Sequence, residues 1–148
     1  MYYGALEAGG TKMVCAIGDA DKNIIDRISI PTGTPDQSVP AMIDYFKKYD
    51  ISALGIGTFG PADINPNSPT YGSIMRSPKK AWEGFSLYKA FTDALGCLVV
   101  VDTDVNAAAW GEYLYVPHCW NRHRRRYNIR WQTHSRHGTP GDRPHPHP

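Results

Sequence analysis

Residues 1–32, MYYGALEAGGTKMVCAIGDADKNIIDRISIPT, decide the fold. Three runs rich in β-branched and apolar residues, MYYGALEAGG, TKMVCAIGD and NIIDRISIPT, are separated by Gly-Gly-Thr-Lys and by the turn-forming DADKN. Two consecutive hairpins are expected. From Asp36 the spacing changes: Val39, Met42, Ile43 and Phe46 recur at a helical period, with Pro35 and Pro40 tolerable at or near the first turn. ISALGIGTFG then reads as a short buried strand, and the Pro/Asn/Ser-rich PADINPNSPTYGSIMRSPKKAW as a long loop. SLYKAFTDALG reads as a second helix ended by Gly96, CLVVVD as a further strand and VNAAAWGEYLY as a third helix. The order βββαβαβα predicts an α/β fold, a mixed sheet with helices on both faces. Ligands of such a sheet gather where loops leave the carboxyl ends of its strands.

With 148 residues, 41% of them hydrophobic and 20% charged, the chain suffices for one globular domain. No apolar run is long enough to span a bilayer, and the N-terminus lacks the charged start and apolar core of a secretory signal, so a cytoplasmic protein with no membrane partner is expected. Cys15, Cys97 and Cys119 are odd in number and widely spaced. They support neither a disulfide framework nor a zinc motif, and buried thiols are expected. The net charge of +2 conceals a partition: residues 117–148 hold seven of the 16 Lys+Arg residues, one of the 14 acidic residues and all six histidines. Residues 1–116 therefore carry nine basic against 13 acidic side chains, a balance of −4. The apolar inventory of the tail, Cys119, Trp120, Tyr127, Ile129 and Trp131, is too small to offset chain entropy. A boundary is expected at Val116/Pro117, with a disordered tail whose nucleic-acid affinity is nonspecific.

Two segments offer chemistry. Glu7, Gly9, Gly10, Thr11 and Lys12 fall at a hairpin tip, where two glycines let backbone amides approach an anion and Thr11 and Lys12 add a hydroxyl and a positive charge. The spacing is not that of a Walker A loop, and on pattern alone such a turn is more often only a turn. Asp102 and Asp104, in V-V-V-D-T-D-V-N, end a buried strand beside a helix start. A carboxylate there serves either as a helix cap, a role open to Asp102 or Asn106, or as a general base.

Taken together the segments are more specific. G-A-L-E-A-G-G-T-K, G-I-G-T-F-G-P-A-D-I-N-P-N-S-P-T-Y-G, S-P-K-K-A-W and V-D-T-D-V-N-A-A-A-W-G-E resemble, in order and spacing, the ROK family of sugar kinases, and within it the bacterial fructokinase branch. The resemblance runs to about Glu112 and implies the N-terminal lobe of an actin-like, ribonuclease-H-like fold. It implies ATP and Mg²⁺ as cofactors and a hexose, fructose, as substrate, with transfer to its 6-hydroxyl. By the same resemblance Gly9, Gly10, Thr11 and Lys12 form the first phosphate-binding loop. Gly60, Pro61, Ser77, Pro78 and Thr103 lie on the sugar side, Asp104 is the catalytic base and Glu7 is a candidate Mg²⁺ residue. Glu7 stands where the wider family has Asp, and Thr103 where many relatives have Asn. Relatives are often homodimers, and a structural zinc belongs to a C-terminal lobe that this chain does not match. Repressors of the family carry an N-terminal helix-turn-helix, for which a first strand beginning at Tyr2 leaves no room.

The tail PHCWNRHRRRYNIRWQTHSRHGTPGDRPHPHP carries none of the family's next motifs in frame. Read one base later, its codons behave differently: Trp120 and Trp131 must become Gly, and residues 118–127 permit T-V-G-T-G-I-G-G-G-I. Residues 139–144 permit H-P-E-I-G-H. These are a Gly-rich second phosphate loop and a sugar-gripping element, in the expected order. A single-base shift near codons 113–117, leaving an inactive fragment, is the expectation. The alternative is a small α/β domain with a native basic arm that binds nucleic acid or a metal.

Overall fold

The computed structural model describes residues 1–112. The expected boundary at Val116/Pro117, the disorder of 117–148 and Cys119 lie outside the described residues. Strands β1 (Tyr2–Ala8), β2 (Lys12–Asp19) and β3 (Ile24–Pro31) form the two hairpins. β4 (Ile51–Thr58) and β5 (Leu98–Thr103) join in parallel on the other side of β1, so the five-stranded sheet runs β3-β2-β1-β4-β5. The second hairpin turns as DADKN demands. The Asp19 carboxylate accepts the Asn23 side-chain amide at 3.0 Å and the backbone amides of Asn23 and Asp21, each at 2.9 Å; the Asn23 side chain first, and then these amides, hold its carboxyl below the usual range.

Helix α1 (Pro35–Phe46) starts at the pre-set φ of Pro35, and the Thr34 amide donates to Gln37 Oε1 at 3.2 Å. Pro40 lies deeper than the first turn, inside the helix and exposed, where its missing N–H removes one helical bond. Helix α2 (Leu87–Leu95) is capped by Ser86, which accepts the Lys89 amide at 3.2 Å, and ends at Gly96 with φ 65°. Both helices cover one face of the sheet. There Leu6, Cys15, Ile17, Leu54, Ile56, Val99 and Val101 meet Met42, Phe46, Leu87 and Phe91, with the Phe46 and Phe91 rings edge to face at 6.1 Å. Each such side chain contributes about 1.5–3 kcal/mol by leaving water. Cys15 belongs to this core, and burial pushes its thiol up to about 12, which makes it inert. Cys97 is only half-buried, a departure from the expected burial; its thiol too is raised by desolvation.

The opposite face carries Tyr3, Ala5 and Glu7 of β1, Gly55 and Gly57 of β4, and Leu98, Val100 and Asp102 of β5. A third helix, α3, begins at residue 104 and lies across Gly57. A Cβ at Gly57 would stand 3.0 Å from Ala107 Cβ and 3.5 Å from Asp104 Cα, so a glycine inside this strand lets the helix start settle onto the sheet. Helices thus occupy both faces, as expected. No helix among the described residues is long and apolar enough to cross a membrane.

The long loop between β4 and α2 is knotted rather than loose. Asp63 accepts from the hydroxyls of Ser68 and Thr70 and from the Asn65 amide, bonds that keep its carboxyl below the usual range. Tyr71 then plugs the outer edge of β5: its hydroxyl accepts the Val101 amide at 2.9 Å and donates to the Val101 carbonyl at 3.0 Å. This closes an otherwise open strand edge. Tyr71→Phe is expected to lower unfolding free energy by about 1–2 kcal/mol, because two half-buried backbone groups lose their partner. Urea denaturation checks this, and an unchanged midpoint would show that water substitutes fully for the hydroxyl.

Candidate active-site rim

The Gly-Gly turn joins the carboxyl end of β1 to the start of β2. The Gly9 amide donates to the Lys12 carbonyl at 3.0 Å, and a Cβ at Gly9 would stand 2.6 Å from that same oxygen, so only glycine fits. Thr32, at the end of β3, braces the turn: its amide donates to the Thr11 carbonyl at 3.0 Å and its hydroxyl to the Gly9 carbonyl at 2.8 Å. The amides of Gly10 and Thr11 donate to no partner among the described residues. Two free N–H groups and the Lys12 ammonium suit an anion.

The ladder continues beyond β4, where the Phe59 amide donates to the Ala8 carbonyl at 2.8 Å, and Gly60–Pro61, a cis peptide, follows. The Pro61 carbonyl accepts the Met75 amide at 2.8 Å, which brings the Ser77–Pro78 turn back to the rim. Ser77 is buried, and its Oγ accepts the Lys79 amide at 3.2 Å. Trp82, in a short 3₁₀ turn, is buried edge-on against Phe59 and Phe85, and its Nε1–H donates to the Gly33 carbonyl at 2.9 Å. The S-P-K-K-A-W segment is therefore pinned to the Thr32–Thr34 segment that braces the glycine turn. Thr32 and Trp82 were not singled out from the sequence, where a Thr among Pro and Gly and a Trp beside lysines carry no distinguishing pattern.

At the end of β5 the cap is Thr103, not Asp102 or Asn106: its Oγ1 accepts the Asn106 amide at 3.2 Å. A hydroxyl engaged as an acceptor keeps its proton for a further partner. Asp102 instead accepts the Thr103 amide and the Asn106 side chain, both at 2.7 Å. Asp104 opens α3, exposed; among the described residues its Oδ1 accepts only the adjacent Val105 amide, at 2.9 Å. A carboxylate in the first turn is favoured by the helix dipole. Glu7, Gly57 and Asp102 are aligned across β1, β4 and β5, so the Cα atoms of the two acidic residues stand roughly 10 Å apart, two strand spacings, with the start of α3 seated on the glycine between them. Glu7, Asp102 and Asp104 share a cavity of about 710 Å³ with Ala107 and Trp110. Among the described residues, no group of three or more His, Cys, Asp or Glu side chains is placed to hold a metal ion by itself. A second recess, of about 860 Å³, opens between the N-P-N-S-P-T-Y loop, α2 and β5; of the candidate residues Asp102 reaches it, and its Lys89–Asp93 pair is an exposed i,i+4 pair at 3.4 Å.

A mixed sheet of this order, with a Gly-Gly turn after its first strand and an acidic helix start after its last, defines the N-terminal lobe of an actin-like, ribonuclease-H-like protein. The ROK family profile matches residues 3–118, and the chain belongs to the ROK family. It is 46% identical over 112 residues to a fructokinase of Lactococcus lactis subsp. cremoris, covering 76% of this chain and 39% of that protein. A fructokinase of Pediococcus pentosaceus gives the same identity and coverage. Among solved structures, a ROK family glucokinase from Streptomyces griseus, in complex with glucose and AMPPNP, superposes with a TM-score of 0.63 at 28% identity, covering 76% of this chain and 36% of that one. The chain thus spans about two-fifths of the length of these relatives.

Proposed function

We propose that residues 1–116 are the first lobe of an ATP- and Mg²⁺-dependent hexose kinase that phosphorylates fructose at its 6-hydroxyl, and that 117–148 is the out-of-frame continuation of its coding sequence. The observation that carries the reading is the rim itself. Two amides without a partner among the described residues, those of Gly10 and Thr11, and the carboxylate of Asp104 leave the same end of a sheet whose strands there run parallel. Fructose is favoured over glucose by the relatives: 46% identity to fructokinases against 32% to a glucokinase of Streptomyces coelicolor.

Asp104 accepts the proton of the sugar's primary hydroxyl as that oxygen attacks phosphorus. The Gly10 and Thr11 amides and Lys12 hold the phosphate chain and draw charge off its oxygens. Gly60, Pro61, Ser77 and Pro78 shape the sugar side, and Thr103 offers it a hydroxyl proton. Magnesium, when bound, neutralises charge shared by the phosphate oxygens. Glu7 is the residue that would hold it, since this ion needs only one or two protein carboxylates beside phosphate ligands. The 148-residue chain is expected to show no turnover, because the binding energy that orients the attack comes in part from a second lobe.

The test restores the frame. Inserting or removing one base near codon 115 should yield a longer protein that converts fructose and ATP to fructose 6-phosphate in a coupled assay. A restored frame that meets stop codons at once would remove the frameshift and revive the alternative of a native basic arm.

A further inference from the structure

We propose that Lys79 supplies a second positive charge to the phosphate turn, in addition to that of Lys12, and contacts the phosphoryl group in transfer. The inference rests on the kinase reading and adds a residue to it. Of the two lysines in S-P-K-K-A-W, Lys80 is committed elsewhere: its ammonium pairs with Glu83 at 2.9 Å, and its side chain is 72% exposed. Lys79 is half-buried and forms no ion pair among the described residues. Its Cε would be 3.7 Å from a Cβ at Gly10, the nearest heavy atom outside Gly10 and its two chain neighbours among the described residues, so the stem reaches over the glycine turn. The position is built rather than incidental. Behind Lys79 the Ser77 hydroxyl accepts its amide, the Trp82 amide donates to its carbonyl at 2.9 Å, and the buried Trp82 indole ties the segment to Gly33. The same stretch of chain that holds Lys79 is thereby fastened beside Thr32, which braces Gly9 and Thr11.

The location selects the role. Lys79 follows the Ser77–Pro78 turn assigned to the sugar side and overhangs the turn assigned to phosphate, so its ammonium lies where the accepting hydroxyl and the phosphorus meet. A phosphoryl group in transfer spreads negative charge over three oxygens, and a positive group fixed there needs no reorganisation at the moment of reaction. Lysine acts as a point charge that can follow those oxygens.

The test uses the 148-residue chain and inorganic tripolyphosphate, followed by ¹⁵N-resolved amide shifts. Gly9, Gly10 and Thr11 should respond in the unsubstituted chain. Lys79→Met keeps the hydrocarbon stem and removes the charge, and should weaken binding about fivefold to tenfold, the effect of one partly solvated charge-assisted contact. Lys80→Met removes the same charge one residue away and should change affinity less than about twofold, which separates local contact from general attraction. Lys79→Arg should recover most of the loss. Equal weakening by Lys79→Met and Lys80→Met would remove Lys79 from the site while leaving the phosphate turn standing. No response of the turn in the unsubstituted chain would instead overturn the phosphate assignment itself, and Lys79 with it.

Discussion

Asp104→Asn is expected to lower turnover of the frame-restored kinase by about 10²-fold or more while sugar affinity changes little. The substitution keeps size and most hydrogen bonding: an amide oxygen can still accept the Val105 amide and preserve the first turn of α3. What is lost is the basic oxygen that takes the hydroxyl proton in the transition state. Because that oxygen is needed only as the bond forms, the loss should fall on kcat rather than on KM. Asp102→Asn is the matched comparison. That carboxylate is spent on the Thr103 amide and the Asn106 side chain, so its replacement disturbs the helix start by about 1 kcal/mol and should cost far less activity. Steady-state kinetics with fructose as varied substrate would decide, and a fully active Asp104→Asn enzyme would remove Asp104 as the base.

The second large effect is expected in folding. Gly72→Ala should destabilise the 148-residue chain by about 3 kcal/mol or more, from two causes that act together. Gly72 has φ 73°, and a Cβ there would stand 2.3 Å from Tyr88 Cβ and 3.0 Å from the Tyr88 nitrogen, so backbone as well as side chain must move. Neither neighbour is free to yield. The Gly72 amide donates to Asp63 at 2.7 Å and its carbonyl accepts the Leu87 amide at 2.9 Å, which stitches the long loop to the start of α2. Gly84 isolates the backbone part: its φ is 79° but nothing lies within 4 Å of an added Cβ, and Gly84→Ala should cost only about 1–2 kcal/mol. Urea denaturation of the two variants gives the comparison. Equal losses would mean that the close approach of Tyr88 relaxes without cost.

Local chemistry was sufficient for the elements. Runs rich in β-branched and apolar residues between turn signals wrote the hairpins, helical spacing wrote α1 and α2, and Gly96 and Ser86 ended and began α2 where backbone φ and an orphan amide required them. The glycine turn and the acidic helix start were legible too, because glycine pairs and strand-end carboxylates are rare enough to stand out. Their roles came through resemblance of the whole series of motifs, not from either segment alone.

Residue order and local chemistry were therefore enough for the succession of elements, the family pattern and the candidates carried by local signals. Which side chains among equals face the rim emerged only from packing between distant segments. Thr103 rather than Asp102 caps α3, since only the Thr103 hydroxyl reaches the Asn106 amide. Gly57 proved to be a seat for α3, a purpose that depends on a helix 50 residues further along. Lys79 and Lys80 are identical in sequence terms, yet one lies over Gly10 and the other pairs with Glu83. The physical reason is one of range: propensity and capping act over a few residues, whereas the direction of a side chain in a long loop depends on contacts made with distant segments, here Trp82 with Gly33 and Thr32 with Gly9.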